Sequence, residues 1–420
     1  MRKLACLVAV ALAVLVLGTA SVLSTRPGGR PLAFALLSGS ALGVVLQRAR
    51  FCFFCHSRDW FGDRDPRGLL AIVLAIAVGL IGYTVIFGSW VPVPQAGRLP
   101  PDAHIGPVSW ALVLAGLAFG FGMVISGSCI SAHWYRLGEG SPVAPFALLG
   151  TMLGFVCGFL SWNALYVRTI ATAPVVWLPQ YFGYGGALLL QLAVLTGLAA
   201  WLWRGMPNAP ATQRPVPARF ATAVRALFED RWPYWVGGLL VGLIGFLVVL
   251  RLRPLGVTAA LSSAARDLTA PRGWIPARLE GLDSFSGCAT LPQATWLTPN
   301  TLLIIGLVSG ALAAGLASRQ FAPRWPTWRD AIRGLTGGVL LGWGAMIGLG
   351  CTVGTLLSGT MAGALSGWVY GVSLFVAVWA GLKIKRVILT AFGGWTRFAT
   401  PDSVACRTSI GNKSDVPGRA

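Results

Sequence analysis

Apolar runs of about 16 to 21 residues, a helical bilayer span or slightly less, recur at about 4–23, 32–46, 69–88, 109–125, 142–162, 184–203, 235–250, 301–317, 334–349 and 364–382. Short polar or basic stretches separate them. The pattern predicts about ten helices, several of them short and glycine-rich, so that some enter the bilayer only part way. The fold class expected is therefore an all-α polytopic membrane protein.

Composition sharpens this picture. Of 420 residues, 55% are hydrophobic and only 11% charged, with 54 glycines and 18 tryptophans, well outside the range of a soluble domain. The net charge of +20 would invite nucleic acid if it formed a basic patch on a soluble face, but the basic residues lie between the spans. Placing the N-terminus in the cytoplasm puts roughly 24 of them on the inner side and roughly 9 outside, the asymmetry of the positive-inside rule. The inner set includes Arg48, Arg50, Arg58, Arg64, Arg67 and Arg136, together with the 204–234 loop, the 318–333 loop and the C-terminal tail. The exception is the long 251–300 segment, whose five arginines fall on the expected outer face; long segments translocate largely regardless of charge. The expected location is a bacterial inner membrane.

The first span, "MRKLACLVAVALAVLVLGTA", has the basic start, apolar run and small-residue exit of a signal peptide as well as of an anchor. Both readings leave residue 24 outside. The organisation expected is a first span or signal peptide (1–23), a first transmembrane repeat (24–203), a linker with one span and an outer segment (204–300), a second repeat (301–385) and a disordered tail (386–420).

The two repeats show in "GLAFGFGMVISGSC" (116–129) and "GVLLGWGAMIGLGC" (338–351), which align at a constant offset of about 222 residues. Gly116, Gly120, Gly122, Ile125 and Cys129 fall on Gly338, Gly342, Gly344, Ile347 and Cys351. The glycines alone would mean no more than close helix packing; a cysteine closing both copies is more specific. The second copy lies on the fifth span after the first, so the same helix points inward in one half and outward in the other. This is an inverted-topology repeat, an arrangement that places a site near the midplane. After each cysteine the chain turns small and polar, in "SCISAHWYRLGEGSP" and "CTVGTLLSGTMAG". Backbone broken at membrane depth must line a protein cavity or a wet path, so both stretches read as re-entrant turns with the cysteine near the tip.

Eight cysteines do not make a disulfide scaffold in a chain of this size. Cys6, Cys157 and Cys406 sit in bland contexts. Cys52, Cys55, Cys129, Cys288 and Cys351 do not. "RFCFFCH" spells C-x-x-C-H, the attachment signature of a c-type haem. Haem is attached outside the cytoplasm, whereas five arginines put this loop inside; only His104 and His133 remain as a second axial ligand. A zinc site would need two further ligands, and a dithiol switch lacks a thioredoxin-like context. No cofactor is expected, and no enzymatic activity.

Three stretches, "LQRARFCF" followed by "SRDW", "GFGMVISGSCISAHWYRLGEG" and "RGLTGGVLLGWGAMIGLGCTVGTL", resemble the YeeE/YedE family of bacterial sulfur-compound transporters, over about 32–165 and 300–385. The resemblance implies uptake of thiosulfate along a narrow path lined by one thiol from each motif: Cys52, Cys129 and Cys351. Ser128 replaces the usual glycine before the second cysteine. Cys55 and Cys288 have no family role and stand as accessory candidates, as do His133, Arg136 and Glu139, which serve equally well as an ordinary turn network. The expected partners are a small sulfur-containing anion, the lipid bilayer and a cytoplasmic TusA-like sulfur carrier. Another sulfur or selenium species, or a membrane haem or thiol-redox protein, is the alternative. The residues fit the first reading: a thiol is a weak donor with a polarizable sulfur, suited to a soft sulfur atom. Asp59, Asp63 and Asp65 are expected to pair with Arg58, Arg64 and Arg67, and Trp60, Trp90, Trp110 and Trp177 to anchor span ends.

Overall fold

The computed structural model describes residues 2–95, 97–205, 228–252, 254, 256–285, 287 and 297–391. Cys288, Cys406 and most of the tail lie outside the described residues. The long helices are α1 (Arg2–Thr25), α2 (Arg30–Ala49), α4 (Arg67–Trp90), α5 (Trp110–Ser126), α7 (Ala144–Leu165), α8 (Leu178–Arg204), α9 (Tyr234–Arg251), α11 (Pro299–Ala317), α12 (Trp328–Ile347) and α13 (Leu365–Ala391). Each expected apolar run lies on one of them. Shorter helices intervene: α3 (Phe53–Asp63), α6 (Ile130–Gly138) and α10 (Ala259–Thr269), with a π-helical segment over Thr352–Ser358. Among the described residues, nine stretches are long and apolar enough to cross a membrane, and the bent pair formed by α12 and the segment after it makes a tenth. The protein is an all-α polytopic membrane protein.

Glycine brings the backbones together. A Cβ on Gly338 would strike the Ala147 carbonyl and one on Gly342 the Thr151 carbonyl, while Gly150 and Gly154 of α7 lie equally close to α12. In the other copy, Gly116 and Gly120 of α5 rest on Tyr370–Val378 of α13. Small residues permit such approach where lipid supplies no hydrophobic drive. Each copy of the glycine motif thus lays its face on the helix that follows the other copy. The two copies also meet directly, Gly122 against Gly337 and Gly344 against Ala115.

Three departures have physical causes. The chain does not turn back at Cys129: α6 carries on from α5, and Trp110–Gly138 forms one broken 29-residue stretch, with the His133 N–H donating to the Cys129 carbonyl at 3.0 Å where the helix restarts. After α12 the chain bends by 42°. Second, the 251–300 segment is not simply an outer loop. Its α10 packs on α7, Trp134 Nε1 donates to the Val257 carbonyl at 3.0 Å, and Trp162 Nε1 to the Glu280 carbonyl at 2.9 Å; small hydroxyl residues such as Ser262 let α10 bury despite its polar spelling. Third, Trp177 is not an interfacial anchor. It is fully buried and donates to the Ala362 carbonyl at 2.9 Å, and Trp60 is buried as well, whereas Trp110 is 77% exposed. Two of the expected acidic pairs form, Arg58 with Asp59 at 2.7 Å and Arg67 with Asp65 at 2.8 Å, while Arg64 lies over the Trp60 ring.

Candidate functional site

Three helices are each followed by a left-handed residue and then a cysteine, the left-handed residue being the cap itself in two of them. α2 stops at Arg50 (φ 49°), whose N–H donates to the Leu46 carbonyl. Phe51 follows, and Cys52, in extended conformation, opens α3. α5 stops at Gly127 (φ 85°), and Cys129, again extended, opens α6. After α12, Leu349 takes φ 57°, and extended Cys351 opens the π-helical segment. Glycine adopts the left-handed region freely, whereas Arg50 and Leu349 do so at a cost. The three cysteines therefore hold the same local position, the cap residue at the start of a helix, and none spends its side chain on capping. The free N–H groups and positive dipole end of each following helix face the break.

The breaks converge. Cys52 Sγ lies 3.8 Å from Cys129 Sγ, and Cys129 Sγ lies 3.2 Å from Ser131 Oγ. Arg136 donates from one terminal nitrogen to Cys55 Sγ at 3.3 Å and from the other to the Gly127 carbonyl at 3.4 Å, so it ties the first break to the second. Cys351 is fully buried and lies within electrostatic range of Cys129. A small cavity of about 20 Å³ collects side chains from all three breaks, among them Phe51, Phe53, Cys129, Ser131 and Thr352. A second, of about 10 Å³, is lined by His104, Gly106, Thr355, Ser366 and Leu349, the left-handed residue of the third break. His104, between α4 and α5, has its pKa pushed down to about 4 by burial, against the opposing pull of Cys351, so its imidazole is neutral at physiological pH. Each cavity is about the size needed for one water. The arrangement is closed to anything larger.

The remaining candidates separate. Glu139 accepts from Gln47 Nε2 at 3.1 Å, and its carbonyl accepts from the Ala322 N–H, a turn network at one end of the bundle. His133 is 1% exposed, and neither ring nitrogen finds a hydrogen-bond partner among the described residues. His56 is enclosed by protein, edge-on to Phe51 and Tyr234 and pressed against Gly68. The two cysteines of C-x-x-C-H face Cys129 and Arg136 instead of a common open space. Sequence reasoning met His104 only as a possible haem ligand and Ser131 only as part of a polar turn, and it did not single out Thr352; the signal for the last two was their place within two residues of motif cysteines.

The family model described as sulphur transport matches residues 48–380, which takes in all three breaks. The chain belongs to the sulphur-transport family. Among relatives, a protein named thiosulfate transporter TsuA from Escherichia coli (strain K12) is 28% identical over 370 residues, covering 82% of this chain and 92% of that protein. A TsuA from Spirochaeta thermophila is 27% identical over 350 residues, covering 82% and 96%. A probable transporter YedE from Salmonella typhimurium is 33% identical over 169 residues, covering 40% of this chain and 39% of that protein. As a member of the sulphur-transport family the chain is a transporter of sulfur compounds and not an enzyme.

Proposed function

We propose that this transporter is a permease that takes up thiosulfate or a closely related sulfur anion across a bacterial inner membrane, along a path lined by Cys52, Cys129 and Cys351. The observation that carries the reading is the thiol pair: two cysteines from separate helix breaks, in sulfur contact and buried from lipid and water. Thiosulfate is ambident, with one soft terminal sulfur and a hard face of three oxygens. A polarizable thiol accommodates the first, while helix N-termini carry the negative charge. Weak contacts in series favour release as well as entry. The likeness to proteins named thiosulfate transporters supports the substrate class.

In this reading the two glycine-motif copies are an inverted repeat, which accounts for their exchanged packing. The N-terminus and the end of the bundle carrying Arg48 and Arg136 face the cytoplasm, as the distribution of basic residues favours. The anion enters past His104 and Thr355, meets Cys351, then Cys129 and Cys52, and leaves beside Arg136. A TusA-like carrier at that end would receive its sulfur.

Expression in a bacterium stripped of its own thiosulfate uptake, with thiosulfate as sole sulfur source, is expected to restore growth. Growth that stays absent while the full-length protein is found in the membrane contradicts the reading.

A further inference from the structure

Arg48 closes the last turn of α2, two residues before the first break. Its side chain is 2% exposed. One terminal nitrogen donates to the Glu229 carbonyl at 3.4 Å, but Nε and the other terminal nitrogen have no acceptor among the described residues. Buried donors of a charged group are rarely left so, because nothing repays their desolvation. Directly over Arg48 runs the 229–232 stretch, held by the Trp232 N–H, which donates to the Arg48 carbonyl at 3.1 Å. This stretch brings up Arg231, which also has a buried terminal nitrogen without an acceptor. Burial lowers its pKa to about 10, and the charge of neighbouring Arg50 pushes the same way, yet it stays protonated at neutral pH.

The nearby acids do not fill the gap. Glu139 accepts from Gln47, Glu229 lies 3.9 Å from Arg319, and Asp230 is near enough to act on Arg48 without accepting a hydrogen bond from it. The cluster stands next to the thiols. Tyr135, 2% exposed, is within electrostatic range of Cys52 and Cys55, and also of Arg231. Unsatisfied guanidinium nitrogens from two elements, at the end of a line of thiols, call for a planar or tetrahedral oxyanion, which arginine holds with two parallel hydrogen bonds.

We propose that Arg48 and Arg231 form an oxyanion-binding station at the arginine-rich mouth of the thiol path, taking the oxygen face of the sulfur anion as its sulfur end leaves Cys52. The station rests on the permease reading and divides the work chemically: thiols for the soft end, guanidinium groups for the hard end. The same nitrogens would hold the phosphate of a lipid headgroup, so the test must separate a free anion from a lipid.

Binding of sodium thiosulfate is measured on the full-length protein purified in lipid-free detergent, for the wild type, Arg231→Gln and Arg48→Lys, alongside growth on limiting thiosulfate. Arg231 is only partly buried and lies between helices, so its variant remains informative even where the buried Arg48→Lys fails to fold. Loss of one two-pronged contact is expected to weaken binding about tenfold in either variant and to raise the thiosulfate needed for half-maximal growth in parallel. Arg48→Lys keeps the charge but loses the fork, so a comparable loss there identifies geometry as the cause. Variants that bind and grow like a working wild type overturn the station and leave the permease standing. Stabilisation by phosphatidylglycerol, with no response to thiosulfate, overturns it in favour of a headgroup. A wild type that neither binds thiosulfate nor supports growth overturns both proposals.

Discussion

Cys129→Ala is expected to lower thiosulfate uptake by at least about tenfold, equivalent to about 1.4 kcal/mol at the limiting barrier. Cys129 is the thiol that the other breaks share. It touches Cys52 Sγ at 3.8 Å and Ser131 Oγ at 3.2 Å, and it lines the cavity where the three breaks meet. Alanine leaves the backbone cap in place, because the His133 N–H still donates to the residue-129 carbonyl, so α6 forms as before. What disappears is the middle of the three polarizable donors on the proposed path. Cys129→Ser restores a donor but a harder and smaller one, and uptake is expected to fall between the alanine variant and the wild type. Initial rates of labelled thiosulfate uptake, normalised to protein in the membrane, check the order. Serine uptake equal to or above that of cysteine would show that sulfur polarizability has no part in passage.

Gly342→Leu is expected to prevent assembly altogether. A Cβ at this position collides with the Thr151 carbonyl and stands 2.9 Å from Gly154 Cα. Both obstacles are backbone, so no rotamer change relieves them. α12 and α7 must separate, and the overpacking costs about 3 kcal/mol or more, a large part of what a membrane bundle has to spare. The damage reaches function because α12 leads directly to Leu349 and Cys351. Gly197→Leu is the control: its Cβ direction on α8 is open, with nothing within 4 Å. Size-exclusion chromatography in detergent is expected to give one symmetric peak for the control and aggregate for Gly342→Leu. A monodisperse Gly342→Leu would mean that the seam is looser than the backbone contacts require.

How much of this could be read from the chain depended on scale. Apolar runs set the helices, since a bilayer allows few alternatives to a continuous helix, and each run falls on one. The glycine faces were legible as packing motifs, but which helix each would meet was not; Gly116 and Gly338 look alike in sequence and rest on different partners. α10 was hidden because "AALSSAARDLT" lacks the length and hydropathy of a span, though small residues pack as closely as large ones. The break at Cys129 was visible, but its continuation as α6 in line with α5 was not, since no composition encodes the direction in which a helix restarts. Cys52 and Cys129 are far apart in sequence, and only the crossing of α2, α3, α5 and α6 sets their sulfurs side by side. Arg48 looked like one more basic residue at a span end, the kind that ordinarily reaches water; its burial follows from the 229–232 stretch folding over it. Trp177 misled in the same way, an apparent interfacial anchor that tertiary packing took inside.

The most direct test of passage by the thiol path is uptake of labelled thiosulfate into vesicles reconstituted with the purified full-length protein, with excess unlabelled thiosulfate or sulfate as competitor. Label is expected to accumulate above protein-free vesicles, with unlabelled thiosulfate suppressing it and sulfate, which lacks a soft sulfur, leaving it nearly unchanged. No accumulation by monodisperse protein, or equal suppression by sulfate, would contradict a sulfur-selective permease.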